Sequence, residues 1–354
     1  MTTTTAGTTA GTTAGTAPGD AACPKRMVHG PCGGVRDDGR CEVADHPCTF
    51  LYHPLPSWPV PVPAPAPRPG GLLDRATRGA VVLTDLTVAP FDPASVRAVV
   101  AEVGGVSDAV LVGEHQNRPD LPPVQMAAEV LAAGGRPWTT LACRDRNRLV
   151  LEQELVGLAL TGVDGVLCVT GDGRGPGVRP GVTQVFDLDG PRLTALAAGT
   201  GLSVAVPESP EAPPRDLRPA RVARKQRAGA ALCVLNHVSG ADRVATFVRA
   251  ARAAGATLPF IAAVAVYSDE RSARVLQAFP GLHLDGAAVQ RVLDAPDPVE
   301  AGIAAAVAEA RALLAVPGVI GVNLSGLASD RGVLAGARVK AEVARRVRGA
   351  GGAA

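Results

Sequence analysis

The chain has 354 residues, of which 47% are hydrophobic and 19% charged, so it can bury a sizeable core and is not a wholly disordered protein. Its 35 basic and 33 acidic residues leave a net charge of +2, well below the basic excess of proteins that bind nucleic acid through phosphates. No apolar run approaches the ~18–20 residues that span a bilayer, and the N-terminus lacks the features of a signal peptide. We therefore expect a cytoplasmic protein, with reduced thiols, that binds neither nucleic acid nor a membrane.

The first part of the chain divides by composition into three segments. Residues 1–20 are a low-complexity tract of Thr, Ala and Gly, predicted to be disordered because it cannot bury a core. Residues 21–53 form a cysteine-rich module, and residues 54–72 form a proline-rich linker that is expected to be an extended, semi-rigid spacer. Regular patterning then covers residues 73–348, which we assign to the main domain.

Four of the seven cysteines lie close together in the module, at Cys23, Cys32, Cys41 and Cys48. Their spacing is not that of paired CxxC zinc fingers, and a disulfide framework is disfavoured in a reducing compartment. So short a segment has too little core to fold alone, which favours a metal or docking on the main domain. We predict a metal site at these cysteines, holding zinc or an iron–sulfur cluster, with reduced thiols as the alternative.

The main domain alternates short β-branched runs with longer stretches of helical period. The predicted strands cover 80–86, 108–113, 137–143, 163–169, 202–206, 231–236, 259–266 and 318–324. The predicted helices lie near 94–103, 123–133, 147–161, 191–199, 218–228, 241–254, 270–278, 298–315 and 332–347. Apolar strands that are each followed by a helix predict a parallel sheet covered on its outer face. Eight such units predict an α/β fold of the (β/α)₈ TIM-barrel class, with a doubly wound open sheet as the alternative.

In such a barrel, function concentrates in the loops after the C-terminal strand ends. Polar residues follow most of the predicted strands: Asp85, Glu114, His115, Arg144, Asn147, Asp172, Glu208, Asn236, His237, Asn323 and Ser325. Carboxylates and amides without a strong nucleophile suit the binding and protonation of a polar heterocycle, while a cofactor supplies redox chemistry. The chain has three lysines against 32 arginines, so each lysine that is retained is more informative than an arginine.

Three segments of the main domain resemble the methylenetetrahydrofolate reductase family, in the branch with CRDRN and LTGD motifs: 141-LACRDRNRLVLEQELVGLALTGVDGVLCVTGDGRGPG-177, 202-LSVAVPE-208 and 224-RKQRAGAALCVLN-236. The module is similar to that family's small reductase C-terminal domain, through 23-CPKRMVHGPCGGVRDDGRCEV-43. The resemblance implies reduction of 5,10-methylenetetrahydrofolate to 5-methyltetrahydrofolate, with hydride from NAD(P)H that passes through FAD in most members.

The resemblance also implies roles for individual residues. Asp85 stands where the family has a glutamate that acts as the catalytic acid, and Asp172 matches an aspartate that faces the pterin and the flavin. Asn236 matches a folate-contacting glutamine, and Arg144 and Asn147 of the CRDRN motif are further substrate-binding candidates. The implied cofactor-binding residues are Thr170, Gly171, Asp172 and Lys225.

Four positions depart from the family's flavin-contacting residues: Thr140, Val206, Pro210 and Arg218. The sequence therefore leaves open whether FAD is bound. A second interpretation also stays open, in which a non-catalytic or redox-partner barrel binds folate or flavin and uses a metal module for docking or electron transfer. The expected partner is a small-molecule folate, and both a homo-oligomer and a redox partner subunit are compatible with the sequence.

Overall fold

The structure is a computed structural model that describes residues 23–115, 117–175, 177–279 and 282–349, so the predicted tail at 1–20 lies outside the described residues. The described strands are β1 Val81–Asp85, β2 Ala109–Val112, β3 Pro137–Ala142, β4 Gly165–Val169, β5 Ser203–Glu208, β6 Leu232–Leu235, β7 Phe260–Val266 and β8 Val319–Gly326. The described α-helices are α1 Leu72–Arg75, α2 Pro93–Val103, α3 Pro123–Ala132, α4 Arg148–Thr161, α5 Gly190–Ala198, α6 Arg218–Arg227, α7 Ala241–Ala253, α8 Glu270–Gln277, α9 Gly286–Leu293, α10 Pro298–Leu314 and α11 Val333–Gly349.

The strands form a closed parallel barrel in sequence order, and β8 pairs with β1 to close it. This confirms the predicted (β/α)₈ barrel, and every predicted strand ends within two residues of an observed one. The agreement has a physical cause: both faces of each strand are buried, so the strands read as continuous apolar runs. None of the described helices is long and apolar enough to cross a bilayer.

Helix α9, between β7 and β8, was not predicted. It is eight residues long, begins after the N-cap Asp285 and buries Val289 and Val292. So short a helix carries too few apolar positions for its period to stand out in the sequence. Its presence means that three helices, rather than the two predicted, separate the last two strands.

The N-terminal end of the barrel is filled by apolar side chains. Leu83, Trp138 and Ile261 belong to one buried cluster inside the barrel, and Leu72 of α1 joins it from below. Asp164 holds α1 against this cluster, because its Oδ2 accepts hydrogen bonds from Leu72 N and Trp138 Nε1, both at 2.8 Å. The packed floor leaves the C-terminal end of the barrel, which we call the mouth, as the place for a site.

The cysteine-rich module packs on the barrel and is irregular, with a single β-bridge, Arg40 to Pro47, among its described residues. The linker also packs on the barrel: Val62 N donates to Arg227 O at 2.8 Å, and Arg68 Nη1 donates to Val163 O at 2.6 Å. The residue Leu72, predicted to end the linker, is the first residue of α1. The linker therefore runs along the barrel, packed on its surface, from the module to α1.

Candidate functional site at the barrel mouth

Asp85 ends β1, two residues beyond the interior residue Leu83, so its side chain faces the barrel axis. Its Oδ1 accepts a hydrogen bond from Asn323 Nδ2 at 2.9 Å. Protein atoms surround the carboxyl group, although part of the residue stays exposed at the mouth, and this burial raises the pKa of Asp85. A carboxyl group in this setting keeps its proton to a higher pH than one in water, as a general acid requires.

Asn323 of β8 holds Asp85 in place. Its Nδ2 donates to Asp85 Oδ1 and also to Ser325 Oγ at 2.8 Å, which uses both amide protons. Its Oδ1 is buried and has no partner among the described residues. An unsatisfied amide oxygen beside a carboxyl group favours a further hydrogen-bond donor, from a ligand or a water molecule.

Lys340 of α11 was not predicted as a site residue. Its Nζ donates to Asp85 O at 2.5 Å, to Gly326 O at 3.2 Å and to Thr87 Oγ1 at 3.3 Å. The residue is 1% exposed, and burial lowers the pKa of Lys340 to about 8. The scarcity of lysine was a signal in the sequence, but nothing there placed the last helix against β1.

Asn236 follows β6, two residues beyond the interior residue Val234, and so also faces the axis. Its Nδ2 donates to Ser209 Oγ at 2.7 Å, and the residue is partly exposed. Asn236 and Asp85 therefore lie at the same end of the barrel, on the lining where the sequence places a substrate.

The loop after β4 carries the predicted residues Thr170, Gly171 and Asp172. Thr170 Oγ1 accepts a hydrogen bond from Gly190 N at 2.9 Å, and Gly171 O accepts one from Lys25 Nζ at 3.0 Å. The Asp172 carboxylate lies near Lys25 and favours its charged form. This loop therefore lies against the cysteine module as well as beside the mouth.

Arg144 and Asn147 have local partners. Arg144 is 2% exposed and donates to Asp145 Oδ2 at 2.9 Å, to His115 O at 3.0 Å and to Asp172 O at 3.3 Å. Asn147 is the N-cap of α4, and its Oδ1 accepts from Val150 N at 3.0 Å. The two residues shape the loops around the mouth: all three guanidinium nitrogens of Arg144 and the side-chain oxygen of Asn147 have partners there.

Glu208, at the end of β5, is enclosed by three cations. Its carboxylate lies 2.9 Å from Lys225, 3.2 Å from Arg221 and 3.3 Å from Arg218, and all four residues are buried. Although burial opposes ionisation, Lys225 and the two arginines hold the pKa of Glu208 well below its usual range. Lys225 also donates to Pro207 O, so the lysine expected to contact a flavin is engaged within the barrel.

The same cluster fastens the cysteine module to the barrel. Arg218 Nη2 donates to Cys32 O at 2.9 Å, and Arg221 Nη1 donates to Pro31 O. At the end of the loop after β4, Asp189 Oδ2 accepts from Val28 N and His29 N, both at 3.0 Å. The module is thus hydrogen-bonded to the barrel through its main chain at several points.

Lys25 and Glu42 complete the seam between the module and the β4 loop. Lys25 is buried, donates to Glu42 and also reaches Gly171 O, while Glu42 Oε1 accepts from Gly173 N at 2.9 Å. A Cβ at Gly173 would come within 2.5 Å of the Val43 side chain, and one at Gly34 within 2.2 Å of Glu42. Gly173 therefore permits the close approach of module and barrel, and Gly34 permits close packing within the module.

The four module cysteines line one cavity of about 20 Å³, together with Lys25, Glu42 and His46. Burial raises the pKa of Cys23, and raises that of Cys48 to about 11, so these thiols are protonated at neutral pH. Within the described residues, no group of three or more His, Cys, Asp or Glu side chains is arranged to hold a metal ion. The donor set suits a soft metal, but the sulfurs must move towards one another to bind it, and the metal site remains a prediction.

The residues at the mouth do not fit a flavin. Lys225 is bonded to Glu208 and Pro207, Gly171 O is bonded to Lys25, and the module covers the loops after β4 and β5. A cofactor that needs these groups would have to displace the module from the β4 loop and take Lys225 away from Glu208. We therefore assign no flavin-dependent step to this chain.

A larger groove, of about 650 Å³, lies at the opposite end of the barrel, between the linker prolines and the barrel floor. Its lining is mainly apolar and includes Pro61, Pro65, Leu73 and Ile320. None of the predicted site residues reaches it. The predicted site residues therefore lie away from this groove.

Residues 8–53 match the family described as "Methylene-tetrahydrofolate reductase C terminal", which confirms the resemblance of the module. No curated protein matches the chain. The barrel is similar to an uncharacterized protein from Clostridium thermocellum that binds two copies of 5-methyl-5,6,7,8-tetrahydrofolic acid. That similarity has a TM-score of 0.59 at 10% identity and covers 77% of this chain and 99% of the other.

Tryptophan synthase from M. tuberculosis is more distant, with a TM-score of 0.44 at 17% identity over 77% of this chain and 95% of the other. At 10% identity, the similarity to the Clostridium thermocellum protein shows the fold alone.

Proposed function

We propose that the barrel is a folate-dependent oxidoreductase that reduces 5,10-methylenetetrahydrofolate to 5-methyltetrahydrofolate with hydride from NAD(P)H. The observation that carries this proposal is Asp85, a carboxyl group with a raised pKa that faces the barrel axis and is held by Asn323. Two findings support the same substrate class: the family that matches residues 8–53, and the similarity to a barrel that binds 5-methyltetrahydrofolic acid in another protein.

In the proposed reaction, Asp85 donates its proton to one of the two nitrogens that hold the one-carbon bridge. The bond between that nitrogen and the bridging carbon breaks, the nitrogen keeps the electron pair, and the carbon forms an iminium with the other nitrogen. Hydride from the reduced nicotinamide then adds to this carbon, giving the methyl group and NAD(P)⁺, and Asp85 regains a proton from solvent. General acid catalysis of this kind contributes ~10²–10⁴-fold.

The amides at the mouth supply the contacts for the substrate ring. Asn236 follows β6 and Asn323 lies on β8, with the single strand β7 between them in the barrel, and a pterin offers both donors and acceptors to such groups. Asp172 lies on the adjacent loop and is the further acidic candidate. Arg144 and Asn147 support these loops through their internal hydrogen bonds. Hydride passes directly from the nicotinamide to the substrate in this scheme.

The test is an anaerobic assay of the purified protein with 5,10-methylenetetrahydrofolate and NADH or NADPH, with and without added FAD. We expect nicotinamide oxidation and 5-methyltetrahydrofolate in equal amounts, unchanged by FAD. Folate binding by calorimetry without turnover would favour the non-catalytic interpretation. Absence of both binding and turnover would overturn the proposal.

For the module, we propose that Cys23, Cys32, Cys41 and Cys48 hold Zn²⁺, which keeps the module folded on the barrel. The support is that four thiols line one small cavity in a segment with little core of its own. Metal analysis and a visible spectrum of anaerobically purified protein test this. A colourless protein with one zinc per chain is expected, whereas iron with a broad band near ~400 nm would make the module an electron carrier.

A further inference from the structure

Lys340 is one of three lysines in a chain with 32 arginines, and it lies at the point where the barrel closes. Its ammonium group joins the end of β1, through Asp85 O, to the end of β8, through Gly326 O. Its third partner is the Thr87 hydroxyl on the loop after β1. Three oxygens around one small cation match the three donors of an ammonium group, and the planar fork of an arginine does not reproduce that arrangement.

The two strand ends that Lys340 joins carry the acid and the residue that holds it. Asp85 lies on β1 and Asn323 on β8, and their side chains meet at 2.9 Å across the pair of strands. A change in the relative position of these strand ends therefore changes the contact between carboxyl and amide. Misplacement by about 1 Å can lower a rate by ~10²-fold.

We propose that Lys340 is a positioning residue for Asp85, which fixes the ends of β1 and β8 and places a buried positive charge beside the carboxyl group. The proposal rests on the proposed role of Asp85 as the acid. Lys340 touches neither the substrate nor the reacting atoms, because its three protons are all directed at protein oxygens.

The electrostatic part of the role follows from what surrounds Asp85. The neighbours from β8 are neutral: the Asn323 amide, the Ser325 hydroxyl and the Gly326 N–H. Lys340, from α11, is the charged group that acts on the carboxyl, and it opposes the effect of burial. Burial raises the pKa of Asp85 and the Lys340 cation lowers it, so removal of the cation must raise the pKa of Asp85 further.

The experiment follows the Asp85 carboxyl directly, by ¹³C NMR of protein labelled at aspartate side-chain carboxyls, with Asp85→Asn to assign the signal. Lys340→Met removes the charge and the hydrogen bonds, and Lys340→Arg keeps the charge as a matched control. We expect the titration of Asp85 to move to higher pH in Lys340→Met and to stay near the wild-type position in Lys340→Arg. An unchanged titration, or one that moves to lower pH, overturns the proposal.

Steady-state kinetics provide the second measurement. Because the reaction needs protonated Asp85, the falling limb of kcat/KM against pH should shift upwards in Lys340→Met, while the maximum drops at least about tenfold. A purely structural lysine would lower activity without moving the limb. If Lys340→Met does not fold, Lys340→Gln, which is neutral but keeps a donor, is measured in the same way and decides by the same criteria.

The NMR titration requires no turnover, so the two proposals can fail separately. An upward shift in a protein that reduces no folate would retain the role of Lys340 and overturn the reductase function. Turnover with an unchanged Asp85 titration would do the reverse.

Discussion

At the β1–β8 side of the barrel mouth, Asp85 faces the axis beside neutral hydrogen-bond donors and a single lysine, whereas at the β5–β6 side Glu208 is enclosed by three cations. Both carboxyl groups are surrounded by protein, yet the pKa is raised for Asp85 and lowered for Glu208. Burial penalises the charge in both cases, and the number of nearby cations decides the outcome. Asp85 can therefore keep a proton to give to a substrate, whereas Glu208 stays ionised and holds the cations around it in place.

The two sides also differ in what lies above them. The module covers the loops after β4 and β5, where Arg218 and Arg221 bind its main chain. In the β4 loop, which was expected to bind a cofactor, Gly171 O and Gly173 N are therefore hydrogen-bonded to Lys25 and Glu42 of the module. Asp85, Asn236 and Asn323 line the axis at the mouth. The proposed acid, Asp85, and the contacts that dock the module thus lie at different sides of one barrel end.

The largest effect is expected at the docking side. Glu208→Gln leaves Lys225, Arg218 and Arg221 buried without their anion, and breaking a buried ion pair costs ~3–5 kcal/mol. Urea denaturation measures the free energy of unfolding. The matched control is Glu270→Gln, which removes an exposed pair with Arg274 and should change stability by less than about 1 kcal/mol. Equal losses in the two variants would contradict the role of Glu208.

At the other side, the expected loss is in activity. Asp85→Asn keeps an oxygen that accepts from Asn323, but its amide is not acidic enough to protonate the substrate, so kcat/KM should fall by ~10²-fold or more with the fold intact. Steady-state rates and circular dichroism measure the two quantities. Asp242→Asn, an exposed position in the first turn of α7, is the control and should match the wild type. Full activity in Asp85→Asn would remove it as the acid.

The opposite pKa directions predict opposite pH dependences of stability. For Glu208 the folded pKa is lowered, so its contribution is present above the unfolded value of about 4.5 and is lost as the pH falls towards the folded value. For Asp85 the folded pKa is raised, so ionisation opposes folding as the pH rises above about 3.8. Relative to wild type, Glu208→Gln should become less destabilised at low pH, and Asp85→Asn should gain stability as the pH rises.

Denaturation of both variants between pH 3 and 8 tests the pair. Parallel curves would show that the two carboxyl groups do not differ in this way.

Asp172 lies between the two sides of the mouth, and its substitution should give the smallest change in activity of the variants considered. Its carboxylate lies on the β4 loop, near Lys25 of the module and beside the mouth. If Asp172 contacts the substrate, as proposed, Asp172→Asn should lower turnover about tenfold with little change in module docking. Turnover is measured with the folate assay, and docking by the rate at which a thiol reagent modifies the module cysteines. Faster modification with unchanged turnover would place Asp172 with the docking residues.

Much of the barrel could be predicted because each β-strand and long helix carries its own pattern. Val81–Asp85 and Phe260–Val266 read as strands by composition, and α2 and α10 begin at Asp–Pro pairs whose aspartates cap the helices. Helix α9 has no comparable local signal and was missed. The position of Asp85 at the mouth also followed from the sequence, because the C-terminal ends of all the parallel strands lie at that end of the barrel.

The partners of the three lysines could not be predicted in the same way. Lys225 is seven residues from Arg218 in the chain, and both meet Glu208 only because α6 packs on β5. Lys25 reaches the β4 loop from the module, across 146 residues of sequence, and Lys340 reaches Asp85 across 255. Composition indicated that lysines were retained for a reason, but the reason lies in contacts between distant segments.

The amino-acid sequence by itself determined the alternation of strands and helices, the closed barrel, the end that carries polar residues and the similarity of the module to a reductase domain. The tertiary structure decided which charges are paired. It placed Lys225 on Glu208, beside the two arginines that bind the module, gave Arg144 and Asn147 partners within the loops, and turned Asp85 towards the axis with Lys340 behind it. The physical reason is that secondary structure follows from local patterns, whereas the pKa of a buried group depends on the desolvation and charges that the packed chain brings around it.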